Sequence, residues 1–445
     1  MRLVLISPAP FTHNPPFDAI DHLINGPGSS LFSPPLGLLY LATFLQNDYD
    51  VSVFDSQLYM NLSVKEIAQK ILIPRPDIVG IGVNVVPLIR RAKLIAKKIK
   101  QIDADVKIIF GGNAATFAAD QLIRENYIDI IVLREGEINF SLCLDRISKG
   151  RSLSDVPGIV YKEDVNIKRN DFSGYIENLD TLPFPSYDFL EKPEIYVKQI
   201  ISSRGCTFKC IYCSPKSMWK KWRGRSAQNV VDEIRDLVTR FDPGFICFMD
   251  DNFVVDRSRA IKIAELIKAE GFVIKWGFAA RIDMIDEEML KIASKAGCKR
   301  IYLGIESGSK AILEHLHRPY SIKDIEDKIS KCIEYGILPT VSFMIGMPWE
   351  TEKDVKATFN LMQRVNTPFV HLYVFVPIIG TEIYDFANRY DLKIERDISE
   401  NERFLFDGQI SHSTKHLSSD EIKRLWIEGQ NIVHAKYRDL KNFLD

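Results

Sequence analysis

Short apolar runs alternate with helical spacings along the first third of the chain. Runs at 2–7, 51–55, 78–83, 107–111 and 128–133 are rich in Val, Ile and Leu and bounded by turn formers, which reads as buried strands. Between them Ser63-Val-Lys-Glu66 is a capping box opening a helix, and residues 87–100 predict another. This alternation implies a parallel sheet wrapped by helices, a doubly wound α/β domain over 1–150. Such sheets bind ligands outside the carboxyl ends of their strands, here the loops 7–11, 84–87, 111–116 and 134–137.

From 151 to 195 the pattern breaks at Pro157, Pro183, Pro185 and Pro193, predicting a linker with a small hairpin around 158–161. Over 196–390 strand and helix patterns alternate again, with strands at 198–203, 245–250, 273–280, 300–305, 338–345 and 369–376. Ser226 caps a helix whose apolar face is Val230, Ile234, Leu237 and Phe241. Capping boxes at Ser321 to Asp324 and Thr351 to Asp354 open two more helices. Residues 391–445 read as a helical extension, opened by a box at Ser418 to Glu421 and carrying Ile422, Leu425, Trp426, Ile432 and Val433 on its apolar face. That face is ordinary core first, and is expected to cover part of an active site or a domain seam.

Composition narrows the partners more than the chemistry. The 58 Lys and Arg nearly balance 59 Asp and Glu among 445 residues, so no global field favours nucleic acid or an acidic membrane. The longest apolar stretch, 35–45, falls short of the roughly 20 residues of a spanning helix, and the amino terminus is too short in apolar length for a signal sequence. Cys143, Cys247, Cys298 and Cys332 stand singly within apolar runs, as buried thiols of a reducing cytosol do.

The remaining three cysteines form the most specific pattern in the chain. Cys206-Thr-Phe-Lys-Cys210-Ile-Tyr-Cys213 follows a strand that breaks at Gly205, so the thiols sit on a loop at a strand end. Three thiolates can hold three irons of a cubane and leave the fourth iron open, whereas a zinc site or half a disulfide framework is the plainer alternative. The C-x3-C-x2-C spacing with an aromatic residue before the last cysteine resembles that of the radical S-adenosylmethionine (SAM) enzymes. The resemblance implies that SAM chelates the open iron, that Tyr212 lies against adenine, and that the strands form a partial six-stranded barrel.

Segments after the later strands extend the resemblance. Met249-Asp250-Asp251-Asn252 stands where the family has a Gly-Gly-Glu-like motif for the SAM ammonium; the contact falls to Asp250, Asp251 or Asn252, against the plain reading of an Asx turn. Arg281, after the third strand, is expected to pair with the SAM carboxylate, and Gly304-Ile-Glu306-Ser307-Gly308 resembles the ribose segment through Glu306 or Ser307. Gly346-Met-Pro348-Trp-Glu-Thr resembles the turn that packs on adenine, and Pro377-Ile-Ile-Gly380-Thr381 the turn that closes the barrel.

The front domain, with Ser7 and Pro8, the run Pro35-Leu36-Gly37, the pair Asn84 and Val85, Gly111-Gly112-Asn113 and Glu135-Gly136-Glu137, resembles the cobalamin-binding branch of that family. The Asp-x-His-x-x-Gly motif that ligates cobalt is absent, and His13 and His22 are out of frame, so cobalamin is expected without a protein nitrogen on cobalt. A side chain from residues 84–88 would approach the lower face instead. A doubly wound fold that has lost its ligand is the alternative for this domain.

The resemblance thus implies an enzyme holding a [4Fe-4S] cluster, SAM and cobalamin. Its activity would be methylation of an unactivated sp3 carbon, with a 5′-deoxyadenosyl radical taking the hydrogen and methylcobalamin giving the methyl group. Rivals are cyclisation, ring contraction or oxidation by the same cofactors, and a sensor without turnover. An external electron donor such as flavodoxin or ferredoxin is implied, and the substrate is a small molecule, a lipid or a protein side chain.

Overall fold

In the computed structural model, residues 1–9, 32–394 and 410–438 are described. His13, His22, residues 10 and 11 of loop 7–11, and part of the 391–445 extension lie outside them. The chain divides into two compact units, the first running from Met1 to Tyr196 and the second beginning at Val197.

The first unit is built on one sheet. Its strands are β1 (Arg2–Ser7), β2 (Asp50–Asp55), β3 (Ile78–Gly82), β4 (Lys107–Gly111), β5 (Ile130–Val132), β6 (Ile159–Glu163) and β7 (Asn166–Arg169), in the order β2-β1-β3-β4-β5-β6-β7. The first five pair in parallel. The order therefore reverses direction at β1 and β3, and a crevice opens beyond their carboxyl ends at such a switch point. Ser63 and Glu66 close the expected capping box on helix Val64–Leu72. The second helix is Ile89–Ile102, entered through a 3-10 turn at Val86–Leu88 where Pro87, lacking an N–H, is tolerated.

The expectation of a linker over 151–195 is corrected here. The hairpin β6–β7 adds antiparallel strands to β5, with Val132 opposite Ile159, and Val156, Ile159 and Tyr161 are buried in the same core as Leu3, Leu5 and Phe140. The four prolines interrupt regular elements without freeing the segment, because its apolar residues still have a sheet edge to cover. Tyr196 is fully buried and donates to Asp55 at 2.8 Å.

The second unit holds six parallel strands in sequential order: β8 (Lys198–Ile200), then, after the two-residue pair β9 (Ser203–Arg204) and β10 (Arg223–Gly224), β11 (Phe245–Phe248), β12 (Lys275–Arg281), β13 (Cys298–Glu306), β14 (Leu338–Ile345) and β15 (Val370–Val374). Helices fill each crossover, and their buried faces are those the 3.6-residue period marks, as with Val230, Ile234 and Leu237. These are the strand–helix units that the alternation predicts, in the partial barrel that the resemblance implies. Helix Ser419–Arg438 packs on β15 through Gly429, where a Cβ would stand 2.1 Å from Leu372 and 2.8 Å from Phe359. Only a residue without a side chain allows that approach.

Candidate functional site

Chemistry in parallel barrels collects at the carboxyl ends of the strands, and the cysteine loop lies at that end of β8. All seven cysteines are free thiols, and Cys206, Cys210 and Cys213 are half-buried together on one loop. Burial raises the thiols of Cys206 and Cys213, and the charges of neighbouring cysteines raise them further. Three thiols on one loop suit a cubane, three of whose irons would each take one sulfur.

Arg281 ends β12 beside this loop. Its guanidinium is held by Asp283 at 3.0 and 2.8 Å, lies 3.7 Å over the Phe208 ring, and turns Nη1 to Cys210 Sγ at 3.9 Å. It is thus a cation fixed at the cysteine loop.

The three candidates after β11 separate by environment. Asp250 is buried and accepts from the backbone N–H groups of Ser202 and Ser203 at 2.7 and 2.6 Å, tying down the chain that leads into the loop. Asn252 is buried, accepts from Val254 N at 3.3 Å and meets Met284 Sδ at 3.1 Å. Asp251 alone is exposed, yet desolvation and then the charge of Asp250 push its carboxyl up to about 6 against a hydrogen bond from Gly205 N at 3.1 Å. Its carboxylate meets the backbone that leads into the cysteine loop and the Trp219 side chain, while the residue stays open to solvent.

After β13, Glu306 and Ser307 diverge. Ser307 is fully buried, bonded to Thr358 Oγ1 at 3.1 Å and accepting from Ser309 N, so it serves the helix Glu352–Arg364. Glu306 sits at φ 72, a left-handed conformation unusual outside glycine, where the register with β14 slips. That turn aims its carboxylate at Arg318, whose Nη2 donates to Glu306 Oε1 at 2.6 Å and to Tyr212 OH at 2.8 Å. Burial raises the Glu306 carboxyl against the pull of Arg318. Arg318 is the residue that sequence reading missed. Its signal was only a cation between a short helix and Pro319, with nothing local to tie it to Tyr212.

The Gly346 turn carries a second buried acid. Glu350 Oε2 accepts from Gly346 N at 2.6 Å and Met347 N at 3.2 Å, Pro348 is buried, and His412 Nε2 bonds Gly346 O at 2.8 Å. Gly346 has φ 87, which the turn requires. Burial pushes the Glu350 carboxyl from its ordinary 4.5 up to about 8. Between these values the unfolded chain releases a proton that the folded one keeps, so stability falls as pH rises from about 4.5 to 8. Replacing Glu350 with Gln is expected to remove this slope. Urea denaturation should give matching stabilities near pH 4.5 and a variant more stable than wild type at pH 8.5.

In the first unit, the switch point brings Ser7 and Pro8 after β1 near Asn84 and Val85 after β3. Ser7 O accepts from Ser56 Oγ, and Pro8 is buried. Asn84 and Val85 are exposed, Val85 by 48 %. Gly112 has φ 96, and a Cβ there would meet Asn84 Oδ1 and Val83 O at 2.7 Å. The glycine lets the β4 turn close against the β3 turn, leaving a flat lip of backbone, Gly111 and Asn113 half-buried at its edge. Pro35 is half-buried, Leu36 buried, and Gly37 opens onto free space. A Cβ on Gly136 would stand 3.2 Å from Leu41, and Glu137 is buried in the helix Gly136–Ser148. Glu135 accepts from Ile176 N at 2.8 Å, and Arg134, at φ 62, lies over the rings of Phe172 and Tyr175. Residues of the expected linker therefore line the same edge. Tight glycine turns beside half-buried and exposed residues at the carboxyl edge of the sheet suit a large flat ligand such as a corrin.

Two family models match the chain: the radical SAM superfamily over residues 200–362 and the B12 binding domain over 29–144. An uncharacterised methyltransferase of Pyrococcus horikoshii is 32% identical over 432 residues, covering 96% of this chain and 90% of that protein. The chain belongs to the cobalamin-binding radical SAM family. This radical SAM enzyme is also 28% identical to the anaerobic magnesium-protoporphyrin IX monomethyl ester cyclase of Rubrivivax gelatinosus, over 77% of this chain and 64% of the cyclase. Its fold matches that of the methyltransferase TsrM from Kitasatospora setae, solved with cobalamin and a [4Fe-4S] cluster, with a TM-score of 0.74 at 16% identity, over 98% of this chain and 88% of that one. Its cofactors are the [4Fe-4S] cluster, SAM and cobalamin, and its chemistry draws on an external electron donor. Among the described residues no helix is long and apolar enough to cross a membrane.

Proposed function

We propose that this enzyme methylates an unactivated sp3 carbon of its substrate. The observation that carries the reading is the pairing of a three-cysteine loop at a barrel strand's carboxyl end with a B12 binding domain in one chain, supported by a methyltransferase among its relatives. When bound, the cluster and SAM supply a hydrogen-abstracting radical and cobalamin supplies the methyl group.

The chain's own residues bind and orient. Cys206, Cys210 and Cys213 ligate three irons. Asp251, with its accessible carboxylate, takes the SAM ammonium, leaving Asp250 and Asn252 to hold the loop. Glu306 meets the ribose hydroxyls while Arg318 fixes Tyr212 and Glu306 together, and the turn at Gly346 and Pro348 backs the adenine. Arg281 places positive charge beside Cys210, where it favours the reduced cluster. In the front unit Asn84 or Val85 would approach the lower face of the corrin, and Gly111, Gly112 and Asn113 would help hold it. Seven free cysteines support a reducing cytosol as the compartment.

The relationship to an anaerobic cyclase favours a second reading, oxidative cyclisation with no methyl transfer. Methyl-deuterated SAM, supplied to anaerobic holoenzyme with candidate small-molecule, lipid and peptide substrates, separates the two. A product heavier by a CD3 group supports methylation; 5′-deoxyadenosine formed with an unmethylated, hydrogen-depleted product supports cyclisation. In the same preparation the Co(II) electron paramagnetic resonance spectrum should lack nitrogen superhyperfine splitting.

A further inference from the structure

We propose that Lys209, Lys220 and Lys221 form the docking site for a small acidic one-electron carrier protein that reduces the cluster. The inference rests on the cluster assignment above. From 197 to 231 the chain carries eight Lys or Arg and no Asp or Glu, although the whole protein is balanced at 58 against 59. The bias is therefore local, and it surrounds the cysteine loop.

Structure sorts these cations into two groups. The inward ones have partners: Arg225 bonds Glu233, Arg223 lies 5.4 Å over the Trp219 ring, Lys198 lies 4.6 Å over Phe241, and Lys216 pairs with Glu382 at 2.6 Å. Lys209, Lys220 and Lys221 are exposed. Lys209 lies between Cys206 and Cys210, and Lys220 and Lys221 are brought to the same place by the fold. Arg204 pairs with Arg223 across β9 and β10, and a Cβ on Gly205 would meet Lys221 O at 2.8 Å and Trp219 Cβ at 3.1 Å. The strip 219–222 thus lies directly on the residue preceding Cys206. Asp251 also reaches this spot, its carboxylate bonded to Gly205 N.

Charge of one sign at a redox loop has a physical use. Electron transfer between proteins falls steeply with distance, so a carrier must approach the cysteine loop itself. Such encounters use small interfaces, below about 1,200 Å², and rely on electrostatic steering, which raises association rates by about 10 to 10³ and fades with salt. In the step itself the carrier's flavin hydroquinone gives up one electron and one proton to become the neutral semiquinone, the proton passing to solvent, while the cluster goes from 2+ to 1+.

The test uses anaerobic, full-length holoenzyme and a reduced flavodoxin as the acidic carrier. Binding is read by surface plasmon resonance, and cluster reduction by stopped-flow absorbance, each at rising salt. Wild type should bind with an affinity that falls as salt rises, and Lys209→Glu combined with Lys220→Glu and Lys221→Glu should weaken binding and slow reduction by at least about tenfold at low salt. Reduction by photoreduced deazaflavin should be unchanged. The three Lys→Arg substitutions should restore carrier binding. Equal affinity in wild type and the Glu variant, absence of a salt effect, failure of the Arg variant to bind, or equally Lys-dependent binding of a single-stranded RNA would overturn the proposal. If the Glu variant loads less iron, binding to cluster-free protein is compared instead, so a wrong cluster assignment and a wrong docking surface give different results.

Discussion

Replacing Cys206, Cys210 or Cys213 with Ala is expected to reduce SAM cleavage to background, and each variant should fail to retain the roughly four irons of the reconstituted wild type. Each removed thiolate unseats one corner of the cubane, and no other cysteine can substitute. Cys298 opens β13 at its amino end and Cys332 lies inside the helix Ile322–Glu334, both fully buried, so neither stands at the cysteine loop. Cys298→Ala and Cys332→Ala should therefore keep iron content and 5′-deoxyadenosine formation, as should Cys247→Ala. Iron analysis and chromatography of 5′-deoxyadenosine give the answer; a triad variant cleaving SAM at the wild-type rate would falsify the ligand assignment.

The second large effect falls on Arg318. Its side chain is 4% exposed and that of Glu306 11%, and Arg318 Nε and Nη1 have no hydrogen-bond partner among the described residues, so the pair is held against desolvation. Arg318→Met leaves the Glu306 carboxylate buried and uncompensated, which costs about 3–5 kcal/mol in chemical denaturation. Adding Glu306→Gln should recover much of that loss, since the stranded charge is gone. SAM affinity, measured by calorimetry on cluster-loaded protein, should stay low in both, because Tyr212 has lost the donor that fixes its ring. A single variant within about 1 kcal/mol of wild type would mean that the ion pair is not what holds this corner.

Much of the architecture was legible because its signals are local. Strands β1, β4 and β14 occupy the expected residues, and the boxes at Ser63, Ser321 and Thr351 cap the helices they announce. Capping is a contact across three residues, and buried parallel strands are continuous apolar runs. The hairpin β6–β7 was visible as a hairpin, but its membership of the first sheet depends on which edge it meets, and the prolines hid that. Loop chemistry was half legible. The sequence placed Asp250, Asp251 and Asn252 together, while hydrogen bonds to Ser202 and Ser203 removed Asp250 from the set with an accessible carboxylate.

What the sequence by itself determined, then, is the three-cysteine motif, the order of the elements along the chain and the glycines that permit tight turns, since all of these depend on neighbours a few residues apart. Tertiary structure alone decided that Arg318 joins Tyr212 to Glu306, that Glu350 is buried enough to be pushed up to about 8, and that Gly429 carries the tail helix onto β15. Each of these is a contact or a desolvation between segments far apart in the chain, set by burial and by the strained turn at Glu306, and no local pattern of residue types encodes which distant group will stand opposite.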